Sequence, residues 1–300
     1  MGQRGGSGRA LAALIALTLI WGYTWVIAKL ALTYAGPFQM GALRSSTGTA
    51  FLFIALLATR RPLRLVAPWQ TACVGIFQTG AFIALSTWAL VEGGAGKTAV
   101  LIFTMPIWTL LLAWLVLGER IRGTQWLAAL TTLAGLVLII APWHLDASPF
   151  SKVLAMLAAV SWAIGTILVK RWRRQLAADV LSLTTWQMMF GSVFLIVIAL
   201  LVPERPTDWS PYFIGIVIFM ALVATALGWF LWLYVLERLP AWQASLSILG
   251  IPAVAGFSSR LQLGESVLPA ELVGMLLIGL GLVTMSLLNW RSQRRLPQDA

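Results

Sequence analysis

The residues able to do chemistry in this 300-residue chain are aromatic rings, small hydroxyls, amides and freed backbone carbonyls, set at helical spacing inside apolar segments. Thr18, Trp21, Trp25 and Lys29 fall at intervals of 3, 4 and 4 and share one helical face. Trp162, Thr166 and Lys170 form a second stripe of the same kind, and Gln78, Phe82 and Ser86 a third. Thr225, Gly228 and Trp232 form a fourth, displaced by 146 residues from Thr79, Phe82 and Ser86. Such faces suit an amphiphilic solute, because rings stack on rings while Gln and hydroxyls meet a polar end. Ordinary interhelical packing and interfacial anchoring of Trp explain the same stripes, and 16 Trp residues supply some by chance.

Pro106 and Pro252 stand near the centres of apolar segments. Each lacks an N–H, so the carbonyls of Ile102 and Ile248 lose their usual partners, which hydrocarbon tolerates only where protein, water or ligand substitutes. The kinked helices either line a cavity and offer those carbonyls to a substrate ammonium, or kink for packing alone. Arg44 lies about 10 Å into its segment at 1.5 Å per residue. It meets a substrate carboxylate or gate partner, or serves as a structural strut donating to helix carbonyls; the strut is the expectation, because the aligned position holds neutral Gln187. Glu119 and Glu265, at segment ends, read as structural or gating residues that pair with Arg120 or Arg260, or cap the next helix near Thr124 or Ala270.

Catalysis is a poor fit. There is no H-E-x-x-H, no intramembrane Asp pair, and one histidine, His144, beside Asp146 in a connection, so neither an enzyme nor a metal site is expected. Gly94-Ala95-Gly96-Lys97-Thr98 has Val91 where a phosphate loop needs Gly, and no strand precedes it. The lone Cys73 forms no intramolecular disulfide. No cofactor is implied.

Composition says what must position these residues. Apolar residues make up 60% of the chain and charged ones 10%, against roughly 45–50% and 25% in soluble domains. Apolar segments run over 10–31, 38–58, 67–90, 97–117, 124–141, 151–170, 180–201, 211–235, 241–262 and 269–289. Each matches the roughly 20 residues that cross a bilayer and is too long for a barrel strand. The expectation is an all-α integral membrane protein of ten transmembrane helices whose partner is the lipid bilayer. With the N-terminus inside, 15 Lys and Arg fall on the cytoplasmic side and five outside, which places both termini in the cytoplasm. The net charge of +11 is thus an orientation signal rather than a nucleic-acid signal. The first segment exceeds a signal core and reads as a retained helix.

The chain also repeats. Trp21…Lys29 matches Trp162…Lys170 at an offset of 141, and Arg44…Gly48 matches Gln187…Gly191 at 143. Pro106, Gly118-Glu119 and Gly135 match Pro252, Gly264-Glu265 and Gly281 at 146. Gly135, Gly274, Gly279 and Gly281 read as sites of close helix approach. Two five-helix units, residues 10–142 and 149–290, are expected. Five is odd, so the second unit must be inverted, as in secondary transporters.

A Pro within the fourth helix of each half, Leu117-Gly118-Glu119 and Leu263-Gly264-Glu265 at its end, a Gly-rich fifth helix, and Arg44 after Pro37-Phe38 resemble the EamA family of the drug/metabolite transporter superfamily. The abundance of Trp is similar to that of YddG-type exporters of aromatic amino acids. The resemblance implies ten helices, cytoplasmic termini in a bacterial inner membrane, and a central cavity between the halves. The expected function is export of small amphiphilic metabolites, aromatic or other apolar amino acids first, by alternating access. Other metabolites or drugs, or a passive channel, are the alternatives. The substrate-binding set is Trp21, Trp25, Gln78, Phe82, Ser86, Ile102, Trp162, Thr166, Gly228, Trp232 and Ile248. The sequence sets no oligomeric state. No acidic residue occupies a span centre, so transport is expected to be facilitated or loosely coupled.

Overall fold

Proline starts many of the helices and glycine stops two of them. In the computed structural model, which describes residues 3–118, 123–140, 148–238, 250–266 and 268–294, Pro37, Pro68, Pro149 and Pro211 each open a helix. The missing N–H of proline costs nothing there. Gly118 and Gly264, the repeat-equivalent glycines, both adopt φ near +67° (67° and 66°), a conformation that lets the chain turn out of the helix.

The helices are α1 (Gln3–Ala31), α2 (Pro37–Ala58), α3 (Pro68–Glu92), α4 (Ala95–Leu117), α5 (Gly123–Ile140), α6 (Pro149–Arg171) and α7 (Val180–Leu201). They continue with α8 (Pro211–Ile218, Phe219–Leu227 and Gly228–Arg238), α9 (Gly250–Leu263) and α10 (Pro269–Arg294). Among the described residues there is no strand. Among the described residues seven helices are long and apolar enough to cross a membrane, while α5 and α10 contribute the shorter apolar stretches Trp126–Leu138 and Leu272–Gly281. The tenfold expectation is therefore met only in part. α9, for example, carries Ser258, Ser259, Arg260 and Gln262 in its last two turns, which lowers its apolar character.

Three helices depart from regular α geometry. α4 is interrupted between Ile102 and Met105, just before Pro106, which has no N–H to return to the Ile102 carbonyl. α3 and α8 contain π-helical stretches, Ile76–Ala81 and Phe219–Leu227. At an offset of 146 the first maps onto residues 222–227, inside the second. Neither π stretch is anticipated by the hydrophobic pattern.

The packing exchanges partners between the halves. Gly135 of α5 lies against the Gly274 carbonyl and Ile278 of α10, and a Cβ there would stand 2.5 Å from that oxygen. Gly281 of α10 lies against the Ala128 carbonyl and Thr132 of α5, the residues 146 positions earlier. As α5 advances from 128 to 135, its partner recedes from 281 to 274, so the pair is antiparallel. α2 and α7 pair in the same sense: Ser45 and Ser192 hydroxyls meet at 2.6 Å, Phe53 meets Trp186 edge-on at 5.3 Å, and Leu56 shares a cluster with Leu181. Gly48 packs on Thr225, and Gly191 on Thr79.

The helix entries follow the same exchange. α2 has no capping side chain of its own, and Glu204, after α7, accepts from the Phe38 N–H at 2.9 Å and the Gln39 N–H at 2.8 Å. α7 is capped by its own Asp179, which accepts from the Ser182 N–H and pairs with Arg61, after α2, at 2.9 Å. A carboxylate at a helix N-terminus meets both free amides and the positive end of the dipole.

Gly279, in contrast to its neighbours, has nothing within 4 Å of a Cβ placed on it and is not a packing glycine. Gly135→Leu is expected to lose about 1–3 kcal/mol by overpacking against backbone, lowering the thermal midpoint of the purified protein in detergent, while Gly279→Leu leaves it unchanged. Equal midpoints would contradict the α5–α10 contact.

Candidate functional site

The aromatic stripes converge, but as two separate clusters. On one side, the Trp21 indole N–H donates to the Ala224 carbonyl in the π stretch of α8 at 2.9 Å. Its ring lies 6.2 Å from Trp232 and 6.4 Å from Trp229. Gly228 makes room, since a Cβ there would stand 2.5 Å from the indole nitrogen. On the other side, Trp162 meets Phe82 edge-on at 4.9 Å, a geometry worth about 0.5–1.5 kcal/mol beyond burial. Trp21 with Gly228 and Trp162 with Phe82 are equivalent pairs at the repeat offsets. Sequence reasoning missed Trp229, which is not on the α8 stripe as α-helical spacing draws it.

The π stretches turn carbonyls sideways to these clusters. Ala224 serves Trp21, and Phe77 accepts from the Ser161 hydroxyl at 2.7 Å. π segments recur at functional sites because the extra residue redirects polar groups out of the helical ladder.

A chain of side-chain amides and a hydroxyl forms on the Trp162 side. The Gln187 amide donates to Gln78 Oε1 at 2.8 Å, and the Gln78 amide donates to Thr166 Oγ1 at 3.3 Å. Gly165 sits against the Gln78 side chain, too close for any larger residue. Gln187 entered the sequence reading only as the counterpart of Arg44; its cross-helix partner is what marks it.

Other expected site residues are placed elsewhere. Ser86 is buried and its hydroxyl donates to the Ile83 carbonyl in its own helix at 3.0 Å. Trp25 is half-buried between two apolar clusters. Ile102 is fully buried at the α4 break. Pro252 lies in α9, while Glu119 and Ile248, together with Arg120, His144 and Asp146, lie outside the described residues. Arg44 donates to no carbonyl among the described residues.

Glu265 corrects its expected partners. It neither pairs with Arg260 nor caps α10 near Ala270. It crosses to α4, accepting from the Ala95 N–H at 2.6 Å and the Gly96 N–H at 3.2 Å, because the start of α4 has no capping side chain. Lys29 completes this end by donating to the Leu90 and Val91 carbonyls at the close of α3, at 2.5 and 3.0 Å. Lys29 therefore caps a helix instead of continuing the Trp21–Trp25 face into a site. Gly96 packs directly on Gly256 and Ser259 of α9, and Tyr23 donates to Gln262 at 2.8 Å. One end of the molecule is tied across the halves.

A cavity of about 270 Å³ opens beside this tie, with Glu92, Lys97, Thr98, Ser151, Lys152 and Glu265 among its walls. None of the aromatic stripe residues lines it. Among the described residues no group of three or more His, Cys, Asp or Glu is placed to hold a metal ion. The arrangement holds and orients; it offers no nucleophile beside a base.

The EamA-like transporter family model matches residues 8–141 and again 150–287. The chain is 26% identical over 280 residues to the Bacillus subtilis protein named "Uncharacterized transporter YoaV", covering 91% of this chain and 95% of that one. It is 29% identical over 287 residues to a Salmonella typhimurium protein named "Probable amino-acid metabolite efflux pump", covering 91% and 92%. A solved structure, titled only as the crystal structure of a protein, superposes with a TM-score of 0.64 at 20% identity, covering 95% of this chain and 99% of that one, and it shares the fold. These relatives are transporters, not enzymes.

The Glu265 cap has a direct readout. Hydrogen bonds to a charged acceptor contribute about 1.5–3 kcal/mol, so Glu265→Ala is expected to speed amide hydrogen exchange at Ala95 and Gly96 by roughly ten- to hundredfold. Unchanged exchange at both amides would mean that the carboxylate does not hold the start of α4.

Proposed function

The chain belongs to the EamA-like transporter family, and from that premise we propose that it is a secondary exporter of small amphiphilic metabolites, aromatic or other apolar amino acids first, working by alternating access. The observation that carries this reading is the exchange of equivalent contacts between antiparallel helix pairs. Gly135 against Ile278 and Gly281 against Thr132, like Gly48 against Thr225 and Gly191 against Thr79, are what two inverted five-helix units would make. On this reading α1 to α10 are ten spans, with both termini cytoplasmic in a bacterial inner membrane. The end tied by Glu265 and Lys29 is then the external gate. The pathway runs between the Trp21 and Trp162 clusters, whose rings take the apolar body of the solute while Gln78, Thr166 and Gln187 take a polar group. The name of the Salmonella typhimurium relative supports amino acids as the first class to test.

The acids among the described residues stand at or near helix ends or in connections, with none at the centre of a span. Proton-coupled carriers keep a protonatable group there, so transport follows the substrate gradient.

In proteoliposomes carrying a panel of labelled amino acids, saturable uptake with trans-stimulation is expected for aromatic members. Trp162→Ala and Gln78→Ala are each expected to cut uptake by roughly three- to tenfold, in line with about 0.5–1.5 kcal/mol per ring or hydrogen-bond contact. Wild-type rate and selectivity in both variants would remove these residues from the pathway. An imposed pH gradient is expected to leave the rate unchanged at fixed substrate protonation, and steep acceleration would overturn the uncoupled mechanism.

A further inference from the structure

Arg44 is a full positive charge inside a membrane-spanning helix, where a charge is costly to insert unless it is compensated. Protein surrounds it, yet the residue keeps accessible surface. Among the described residues it makes no hydrogen bond, ion pair or ring contact. Its neighbour Ser45 engages Ser192, and one turn on Gly48 packs against Thr225 of α8.

Why no described side chain meets it is read from the other half. The equivalent residue, Gln187, is satisfied by Gln78, which in turn reaches Thr166. At the repeat offsets Gln78 corresponds to Ala224 and Thr166 to Trp25. Ala has no side-chain acceptor, and an indole nitrogen only donates. The Ala224 carbonyl already receives the Trp21 indole. The position that is a closed amide chain on one side is, on the other, a guanidinium with no hydrogen-bond or ion-pair partner among the described residues.

We propose that Arg44 receives the carboxylate of the transported solute. Its planar fork matches a carboxylate in bidentate fashion, and the Trp21 ring, held at Ala224 next to the Thr225 on which Gly48 packs, takes an apolar or aromatic body. The recognised class is carboxylates carrying such a body, and amines or esters of the same skeleton lack the group that Arg44 binds. This inference rests on the exporter reading for the word transported, but the binding site can be tested without it.

Two measurements separate the claims. Phenylglyoxal modification of Arg44 in the purified wild-type protein, followed by peptide mass spectrometry, is expected to slow several-fold with L-tryptophan or indole-3-propionate. It is expected to be unchanged with tryptamine or L-tryptophan methyl ester. In proteoliposomes, Arg44→Gln is expected to lower L-tryptophan uptake about tenfold or more, in line with a charged hydrogen bond. It should also erase the preference over tryptamine, which Arg44→Lys retains in part. Protection by carboxylates with no uptake of any would overturn the exporter reading and leave the site standing. Uptake with equal modification in all four ligands, or an equal loss of L-tryptophan and tryptamine uptake in Arg44→Gln, would overturn the site and leave the exporter. Should Arg44→Gln not fold, the protection experiment decides alone.

Discussion

Hydrocarbon supplies no hydrogen-bond partners, so a polar group carried into the membrane by these helices needs one from protein, water or solute. In this chain the partner repeatedly comes from the opposite half. The Trp21 indole is met by the α8 backbone, the Ser161 hydroxyl by the α3 backbone, Ser45 by Ser192, and Gln187 by Gln78. The halves are thus joined by polar contacts, with glycines setting how closely the backbones approach.

The ends obey the same constraint in a different medium. Helix entries without capping side chains, at Gly36 and Gly94, are satisfied by Glu204 and Glu265 from the other half. Each carboxylate thereby ties the start of a helix in one half to a connection of the other. The Gln78–Thr166–Gln187 chain, by comparison, binds three helices in the body of the molecule.

Much of the architecture is legible in the sequence because it is written in local patterns. Apolar runs, opening prolines and the spacing of Trp21 and Trp162 give helices, an aromatic face and a repeat. The Trp21–Gly228 and Phe82–Trp162 contacts follow from that repeat once the halves are set antiparallel. What escapes is nonlocal or concerns the backbone. Glu265 reaches a helix 170 residues away in the chain, and hydropathy has no means of distinguishing that from a cap on the next helix. A π stretch adds one residue to a turn without changing its composition, so the side-facing carbonyls of Phe77 and Ala224 leave no sequence trace. Lys29 lies on the right helical face, but α3 ends beside it and its ammonium takes the terminal carbonyls.

The account depends on the two halves lying upside down relative to each other, and topology tests that most directly. Thr33, between α1 and α2, and Ala177, between α6 and α7, are exposed and occupy corresponding connections. Single cysteines at these positions, in a Cys73→Ser background, are to be treated with an impermeant maleimide in intact and in permeabilised cells. The account predicts labelling of Thr33→Cys in both and of Ala177→Cys only after permeabilisation. Labelling of both cysteines from the same side would contradict it.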